Sequence, residues 1–371
     1  MTATISEPPA TQQAAAGISR VMVVAPGHRY STKDVYDNIL AGLRSMPGMD
    51  VLAFPFHDYI EALLPLESDW EQSNVPDVTD TLLLRASDAA FPRFLAFQPQ
   101  LVVVMTGTTF PLAASALMAR YTRTAVVLTE SPYQRDMEQR LSVAFHDVFT
   151  NERTCVEGFV RHRRMMEHIE PGRVHYLPHM FNPAVHHSRP ALAQYASDAC
   201  FIGSPFPERL ALFGGVNWGG ICFRSWGMEA DPSVPESAEK PGGFVSNDTA
   251  HDIYASASIV INHHRTSTYY GSGGHITSGE AESLNPRAYE LAAAGVFQVC
   301  DDSRPELAEV FGDSIPTYRQ GDSADLERVI RYYLDRPEER RRLAGAAQAR
   351  SLGHGCASRA RYIIDRCNDR S

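Results

Sequence analysis

Gln100-Leu-Val-Val-Val-Met-Thr-Gly107 is the stretch that decides the fold. Its apolar residues run on without alternation, so neither face of the segment meets water. A run this short, closed by a glycine, reads as a buried parallel strand. The same pattern recurs around it. Arg20-Val-Met-Val-Val-Ala25 runs into Pro26-Gly27-His28, and Thr124-Ala-Val-Val-Leu-Thr129 runs into Glu130. Residues 49–55, 147–150 and 174–177 are weaker versions. Between them, 31–44, 82–97, 108–121 and 153–168 carry apolar residues at helical spacing. Strand and helix alternate, which predicts a doubly wound α/β domain.

The rhythm breaks at 178–190, where three prolines fall within 13 residues. Such a segment reads as a domain boundary. The alternation then restarts. Strands are expected at 199–203, 221–223, 244–245, 259–262 and 296–300. Helices are expected at 207–213, 249–257, 286–294, 323–335, 337–352 and 358–367, with a Pro/Gly/Glu-rich loop at 230–243. The predicted organisation is a disordered leader (1–18), a first α/β domain (19–184) and a second (185–355). The last segment, 356–371, is expected to be a helix packing back towards the first domain.

A chain of 371 residues holds about two domains at roughly 150 residues each. Hydrophobic residues at 44% and charged residues at 21% are those of a globular protein. No apolar run approaches the roughly 20 residues of a membrane span. Residues 1–19 lack the cationic start and apolar stretch of a secretory signal. The six cysteines are scattered without a CxxC pair, which excludes a zinc ribbon and points to reduced thiols and a cytoplasmic location. A net charge of −10 argues against a globally basic nucleic-acid binder. Lys33 and Lys240 are the only lysines, so an anion site here is expected to be built largely from guanidinium groups and backbone N–H.

Two such domains place a cleft between two sets of strand C-terminal ends, where ligands bind in open α/β sheets. The richest polar segment runs from Asn262 to Glu290, through His264 and Arg265 to Glu282-Ser-Leu-Asn-Pro-Arg-Ala-Tyr-Glu290. It follows a buried strand and opens a helix whose N-terminus suits an anion. Arg287 opposes the dipole of that first turn unless an anionic ligand lies between. Glu290, one turn on, is placed to accept two hydroxyl hydrogen bonds, as from a ribose. The same residues also read as a solvated helix start.

Ile253-Tyr-Ala-Ser-Ala-Ser-Ile-Val-Ile-Asn262, followed by Glu282-x7-Glu290 and Leu-Ala-Ala-Ala-Gly295, resembles GT-B glycosyltransferases of the large retaining family that includes glycogen and sucrose synthases. Asn285-Pro-Arg-Ala-Tyr-Glu290, Arg304-Pro-Glu-Leu-Ala-Glu-Val-Phe311 and Tyr332-Tyr-Leu-Asp-Arg-Pro-Glu-Glu-Arg340 look like the CgeB-type (spore maturation protein) glycosyltransferases. Thr129-Glu-Ser-Pro132, Val148-Phe-Thr-Asn151 and Tyr176-Leu-Pro-His-Met-Phe-Asn-Pro183 have counterparts there as well. The resemblance runs over about residues 95–360 and is strongest in the C-terminal half.

The resemblance implies a GT-B fold, with two Rossmann-like doubly wound domains facing a central cleft. It implies transfer of a hexose from a nucleotide diphosphate sugar, UDP-hexose first, with retention and without a metal. The nucleotide sugar is then a co-substrate, and no cofactor is expected. Glu290 would bind the ribose and Glu282 the donor sugar hydroxyls. Backbone N–H groups from Ser283 to Asn285 would approach the diphosphate. The family's glycines after the first Glu are missing here, and Pro286 has no N–H, so Arg287 takes part of that role. Gly203-Ser204-Pro-Phe-Pro-Glu-Arg209 matches the glycine turn and cation that open the second domain, adding Gly203, Ser204 and Arg209 to the donor side. Arg265 is a third diphosphate candidate, and His264 a donor or acceptor contact.

On the first domain, Gly27, His28 and Arg29 cap the first strand towards the cleft. His28 is a candidate contact for acceptor or donor phosphate, and Glu130 a candidate acceptor-side base. For both, capping the next turn is the alternative. His179 and Asn182 lie at the hinge within reach of the nucleotide. The pairs His186-His187 and His263-His264 fit no metal-ligand pattern such as HExxH, so no metal site is expected. Arg161–Arg164 reads as a solvated helix face. The acceptor can be a glycan, a protein, a small metabolite or a hydroxymethylated DNA base flipped into the cleft. Two rivals are a non-catalytic nucleotide-sugar-binding protein and a GT-B-fold hexose epimerase. No GxGxxG follows the first strand, which disfavours a dehydrogenase.

Overall fold

The computed structural model describes residues 17–27, 31–63, 76–106, 109–166, 173–227, 245–266 and 280–369. The first domain carries β1 (Arg20–Val24), β2 (Asp50–Phe54), β3 (Leu101–Met105), β4 (Arg123–Leu128), β5 (Asp147–Thr150) and β6 (Val174–Tyr176). They form one sheet in the order β2-β1-β3-β4-β5-β6, and every neighbouring pair is parallel. Parallel neighbours need crossover connections, and the helices between the strands supply them. All five residues of β3 are buried, as a strand covered on both faces requires.

The second domain repeats the plan with β7 (Ser197–Ile202), β8 (Phe223–Trp226), β9 (Ala257–Asn262), β10 (Gln298–Asp301) and β11 (Thr317–Tyr318). Their order is β11-β10-β9-β7-β8, again parallel throughout. Two Rossmann-like α/β domains therefore face each other, as the strand–helix alternation predicts. Among the described residues, no helix is long and apolar enough to cross a membrane.

Several local expectations need correction. The helix expected over 82–97 is two helices, Pro76–Asp88 and Ala90–Phe97. The one expected over 153–168 is a 3-10 turn, Arg153–Cys155, followed by Val156–Arg164. The strand expected at 221–223 starts at Phe223 instead. Val245 is outside any strand, and Phe244 lies outside the described residues. Arg163 is not on a solvated face. It is buried, and donates to the carbonyls of Ser142, Phe145 and His146. Residues 1–16 of the expected leader are outside the described residues, but Ile18 N–H donates to Asn368 Oδ1 at 2.8 Å.

The chain crosses between domains twice, and the crossings touch. Met180 belongs to the core of the first domain, whereas Phe181 packs with Leu284 and Tyr289 in the second. On the return, Ala347 packs in the second domain and Cys356 in the first. Phe181 N–H donates to the His354 carbonyl, and Cys356 N–H to the Phe181 carbonyl. The last helix, Cys356–Asn368, then runs against the helix Ser31–Arg44 and adds Ala360, Ile363 and Ile364 to the first core. Gly42 permits that approach: a Cβ there would collide with the Cys356 carbonyl and come within 2.9 Å of the Ala360 Cβ.

Candidate functional site

A cavity of about 420 Å³ lies between the two sheets' C-terminal ends and is lined from both domains. Its second-domain wall is built by the helix Pro286–Ala293. Asn285 caps that helix, accepting from Ala288 N–H at 3.1 Å. Pro286 occupies the first helical position, where a missing N–H costs nothing. The Asn285 amide also exchanges hydrogen bonds with Asn262 at the end of β9. The helix start is thereby tied to the strand, and Arg287 and Glu290 are set along the cavity wall.

The backbone N–H groups expected at the diphosphate are all occupied. Ser283 N–H goes to Glu152, Leu284 N–H to Glu306, and Asn285 N–H to His264 Nε2. What faces the cavity is a set of guanidinium groups from Arg209, Arg265, Arg287 and Arg304. Arg209 is buried and lies over the rings of Phe201 and Phe206. It donates to the carbonyls of Ser204 and His263, while its Nε has no partner. Burial pushes its pKa down to about 10. Gly203 makes this packing possible, since a Cβ there would come within 2.9 Å of the Phe201 ring and 3.3 Å of Arg209 Nη1. Arg304, also buried, donates to neutral oxygens of Ala281, Ser303, Tyr133 and Arg265. Among the described residues Arg209, Arg287 and Arg304 form no ion pair. Arg209 and Arg304 are buried, and buried cations without counter-ions are costly; a bound anion relieves that cost.

Glu290 stands at the other end of the row. Burial pushes its carboxyl up to about 7, against the pull of Arg287. His186 Nε2 lies 3.7 Å from Glu290 Oε1, and the His186 ring meets His251 edge-on with centroids 4.7 Å apart. Burial lowers both imidazoles to about 4, so both are neutral around pH 7. Asp34, on the first domain's helix Ser31–Arg44, hydrogen-bonds Asn247 of the second, and burial raises its carboxyl to about 6.

His264 lines the cavity as a brace. Its N–H and Nδ1 both meet Asp301 Oδ2, at 2.6 and 2.9 Å, and its Nε2 accepts from Asn285. Nε2 as acceptor requires the neutral ring with the proton on Nδ1, and burial lowers the ring's pKa accordingly. Burial pushes the Asp301 carboxyl up, but the His264 and Ser303 contacts outweigh it and hold it well below the usual carboxylate range. His264, Cys300 and Asp301 lie close enough to share a metal ion. Their polar atoms are already engaged: Asp301 accepts from His264 and Ser303, and burial holds the Cys300 thiol well above its ordinary value.

Of the residues proposed from sequence, Ser204, Arg209, His264, Arg265, Asn285, Arg287, Glu290, Glu130 and His179 line the cavity together. Glu282 does not. Its carboxylate meets Arg153 Nε at 2.7 Å, and its N–H goes to Glu152, both on the first domain. Gly203 sits behind Arg209, and Asn182 caps its own turn by accepting from Ala184 N–H. Gly27 donates to Thr109 Oγ1 at 2.9 Å, away from the lining residues. His28 and Arg29 lie outside the described residues. Asp34, Tyr133, His186, Asn247, His251 and Arg304 were missed. Arg304 opens the stretch Arg304–Phe311 and His186 belongs to the pair His186-His187, but neither was assigned to the site; Tyr133 directly follows Thr129–Pro132, and Asp34, Asn247 and His251 sit in no local motif.

Residues 207–365 match the glycosyl transferase-like family. The chain is 24% identical to the spore protein CgeB of Bacillus subtilis over 258 residues, 68% of this chain and 77% of that protein. Among solved structures, Anabaena HepE in complex with UDP and glucose superposes with a TM-score of 0.58 at 11% identity, covering 94% of this chain and 98% of HepE. A Listeria monocytogenes protein described as a UDP-N-acetylglucosamine 2-epimerase superposes at 0.56 with 14% identity, covering 94% and 95%. The structural likenesses speak for the fold, and the family match adds the sequence. The chain has the GT-B fold, and its residues 207–365 are similar to the glycosyl transferase-like family.

Proposed function

We propose that this protein moves a hexose from a nucleotide diphosphate sugar, UDP-hexose first, to an acceptor hydroxyl, with retention at the anomeric carbon and without a metal. One observation carries the reading: Arg209, Arg287 and Arg304, none of them ion-paired among the described residues, line the same cavity as Glu290. Glu290 takes the ribose hydroxyls, and the guanidinium groups take the two phosphates. In transfer, the bond from the anomeric carbon to the phosphate oxygen breaks, and its electron pair leaves with the diphosphate. The acceptor oxygen forms the new bond and passes its proton to the Glu130 carboxylate, the base on the acceptor side. Three fixed cations stabilise the charge that grows on the departing phosphate, which is the task a divalent cation performs elsewhere. Retention rests on the resemblance to retaining GT-B enzymes.

The test is a thermal-shift screen of UDP-, GDP-, dTDP- and ADP-sugars, followed by nucleotide release with and without a chelator. A donor at 100 times its Kd adds about 2.7 kcal/mol of stability. Stabilisation by one nucleotide class, with chelator-resistant and acceptor-dependent release of the diphosphate, is the expected result. Conversion of the donor without any acceptor points to an epimerase. Stabilisation without turnover across glycan, protein, metabolite and hydroxymethylated-DNA acceptors points to a binding protein.

A further inference from the structure

Arg265 differs from the other three arginines of the cavity, because it already has a carboxylate. Its Nη2 donates to Glu130 Oε2 at 2.9 Å, across the cleft from the second domain to the first. Both side chains are partly open to the cavity, at 24% exposure each. The guanidinium lies 3.7 Å from the centre of the Tyr133 ring, and both it and that of Arg209 lie over the Phe206 ring, at 5.7 and 5.1 Å from its centre. It therefore stands near Arg209, which has no ion pair among the described residues, while bound to an anion of the opposite wall.

The backbones on both sides are pinned, and the side chains are not. The Arg265 carbonyl accepts from Tyr133 Oη–H at 2.8 Å and from Arg304 at 3.2 Å. Glu130 N–H donates to the buried Glu138 carboxylate, and the Glu130 carbonyl accepts from Gln134 N–H. A side-chain rotation is enough to exchange partners, with no change of backbone. A diphosphate among Arg209, Arg287 and Arg304 offers Arg265 a more highly charged acceptor than one carboxylate, in the bidentate geometry guanidinium prefers.

We propose that Glu130 and Arg265 form a donor-operated latch that sets the order of binding. In the empty cleft each neutralises the other. Arrival of the nucleotide diphosphate draws Arg265 onto phosphate and leaves the Glu130 carboxylate free to receive a hydrogen bond from the acceptor hydroxyl. The acceptor then binds productively only after the donor. Glu130 competes with the donor for Arg265, so it opposes donor binding while serving the acceptor. This inference rests on the diphosphate reading of the cavity.

The experiment measures the Kd of UDP by calorimetry in the full-length protein and in Glu130→Gln, Arg265→Ala and the double variant. Glu130→Gln is expected to bind UDP more tightly than the wild type, by roughly three- to fivefold, the strength of a partly exposed ion pair. Arg265→Ala is expected to bind more weakly. In the Arg265→Ala background, Glu130→Gln is expected to change nothing, because no partner is left to release. Equal tightening in both backgrounds would mean that Glu130 acts only through its general field, and would overturn the latch. So would unchanged or weaker UDP binding in Glu130→Gln. Absence of UDP binding in all four proteins would instead sink the diphosphate reading itself, and the latch with it. Once an acceptor is known, Glu130→Gln should raise its KM while lowering that of the donor.

Discussion

Arg153 Nε donates to Glu282 Oε2 at 2.7 Å across the domain boundary, and the same guanidinium holds both oxygens of Glu309. Glu152 beside it accepts the N–H groups of Glu282 and Ser283. The segment that the resemblance assigns to the donor sugar is here strapped to the opposite domain. Glu282→Gln is therefore expected to change the Kd of UDP-hexose by less than about threefold, the span of a partly exposed ion pair. Calorimetric titration checks this. A loss of tenfold or more would return Glu282 to the donor site.

Glu290 works against stability in the empty protein. Its carboxyl has a folded-state pKa of about 7, against an ordinary 4.5. Between those values the folded chain keeps a proton that the unfolded chain releases, so stability falls as pH rises through this window and stays low above it. Glu290→Gln removes the buried charge. Relative to wild type it should gain about 1–3 kcal/mol above pH 7 and little below pH 4.5. The same variant should lose most of the stabilisation by UDP. Melting curves between pH 4 and 9, with and without UDP, read both effects.

Arg209 has the same double character with the opposite charge. Its Nε is buried and unpartnered, and a desolvated cation held by two carbonyls contributes little to the empty fold. Arg209→Met keeps the contact with Phe201 and Phe206. It is expected to leave the melting temperature unchanged or higher while weakening UDP binding at least about tenfold. A drop in both would mark Arg209 as structural.

Gly42 tests the return of the last helix to the first domain. Alanine is favoured over glycine in a helix by about 1 kcal/mol. At Gly42 the added Cβ would strike the Cys356 carbonyl, which is backbone and cannot swing away. Gly42→Ala is expected to destabilise by about 1–3 kcal/mol, measured by urea unfolding. A stabilised variant would mean that the two helices separate easily.

The sequence alone determined the alternation of strands and helices. Burial on both faces demands continuous apolar runs such as Leu101–Met105, and these are local and need no knowledge of partners. It also placed Glu290 and Arg287 on a helix that Asn285 and Pro286 start, because capping is written within a few residues. Element ends were less legible. The helix over 82–97 divides after Asp88, and Glu152 caps a 3-10 turn at Arg153–Cys155 by accepting from Thr154 N–H. The composition of the site depended on tertiary structure altogether. Asp34 meets Asn247, Arg153 meets Glu282, and Glu130 meets Arg265 from positions 129 to 213 residues apart. Whether a carboxylate faces a cavity or an arginine of the other domain is decided by how the two sheets oppose each other. That opposition is set by buried side chains on both cores and by the paired crossings at Phe181 and Cys356.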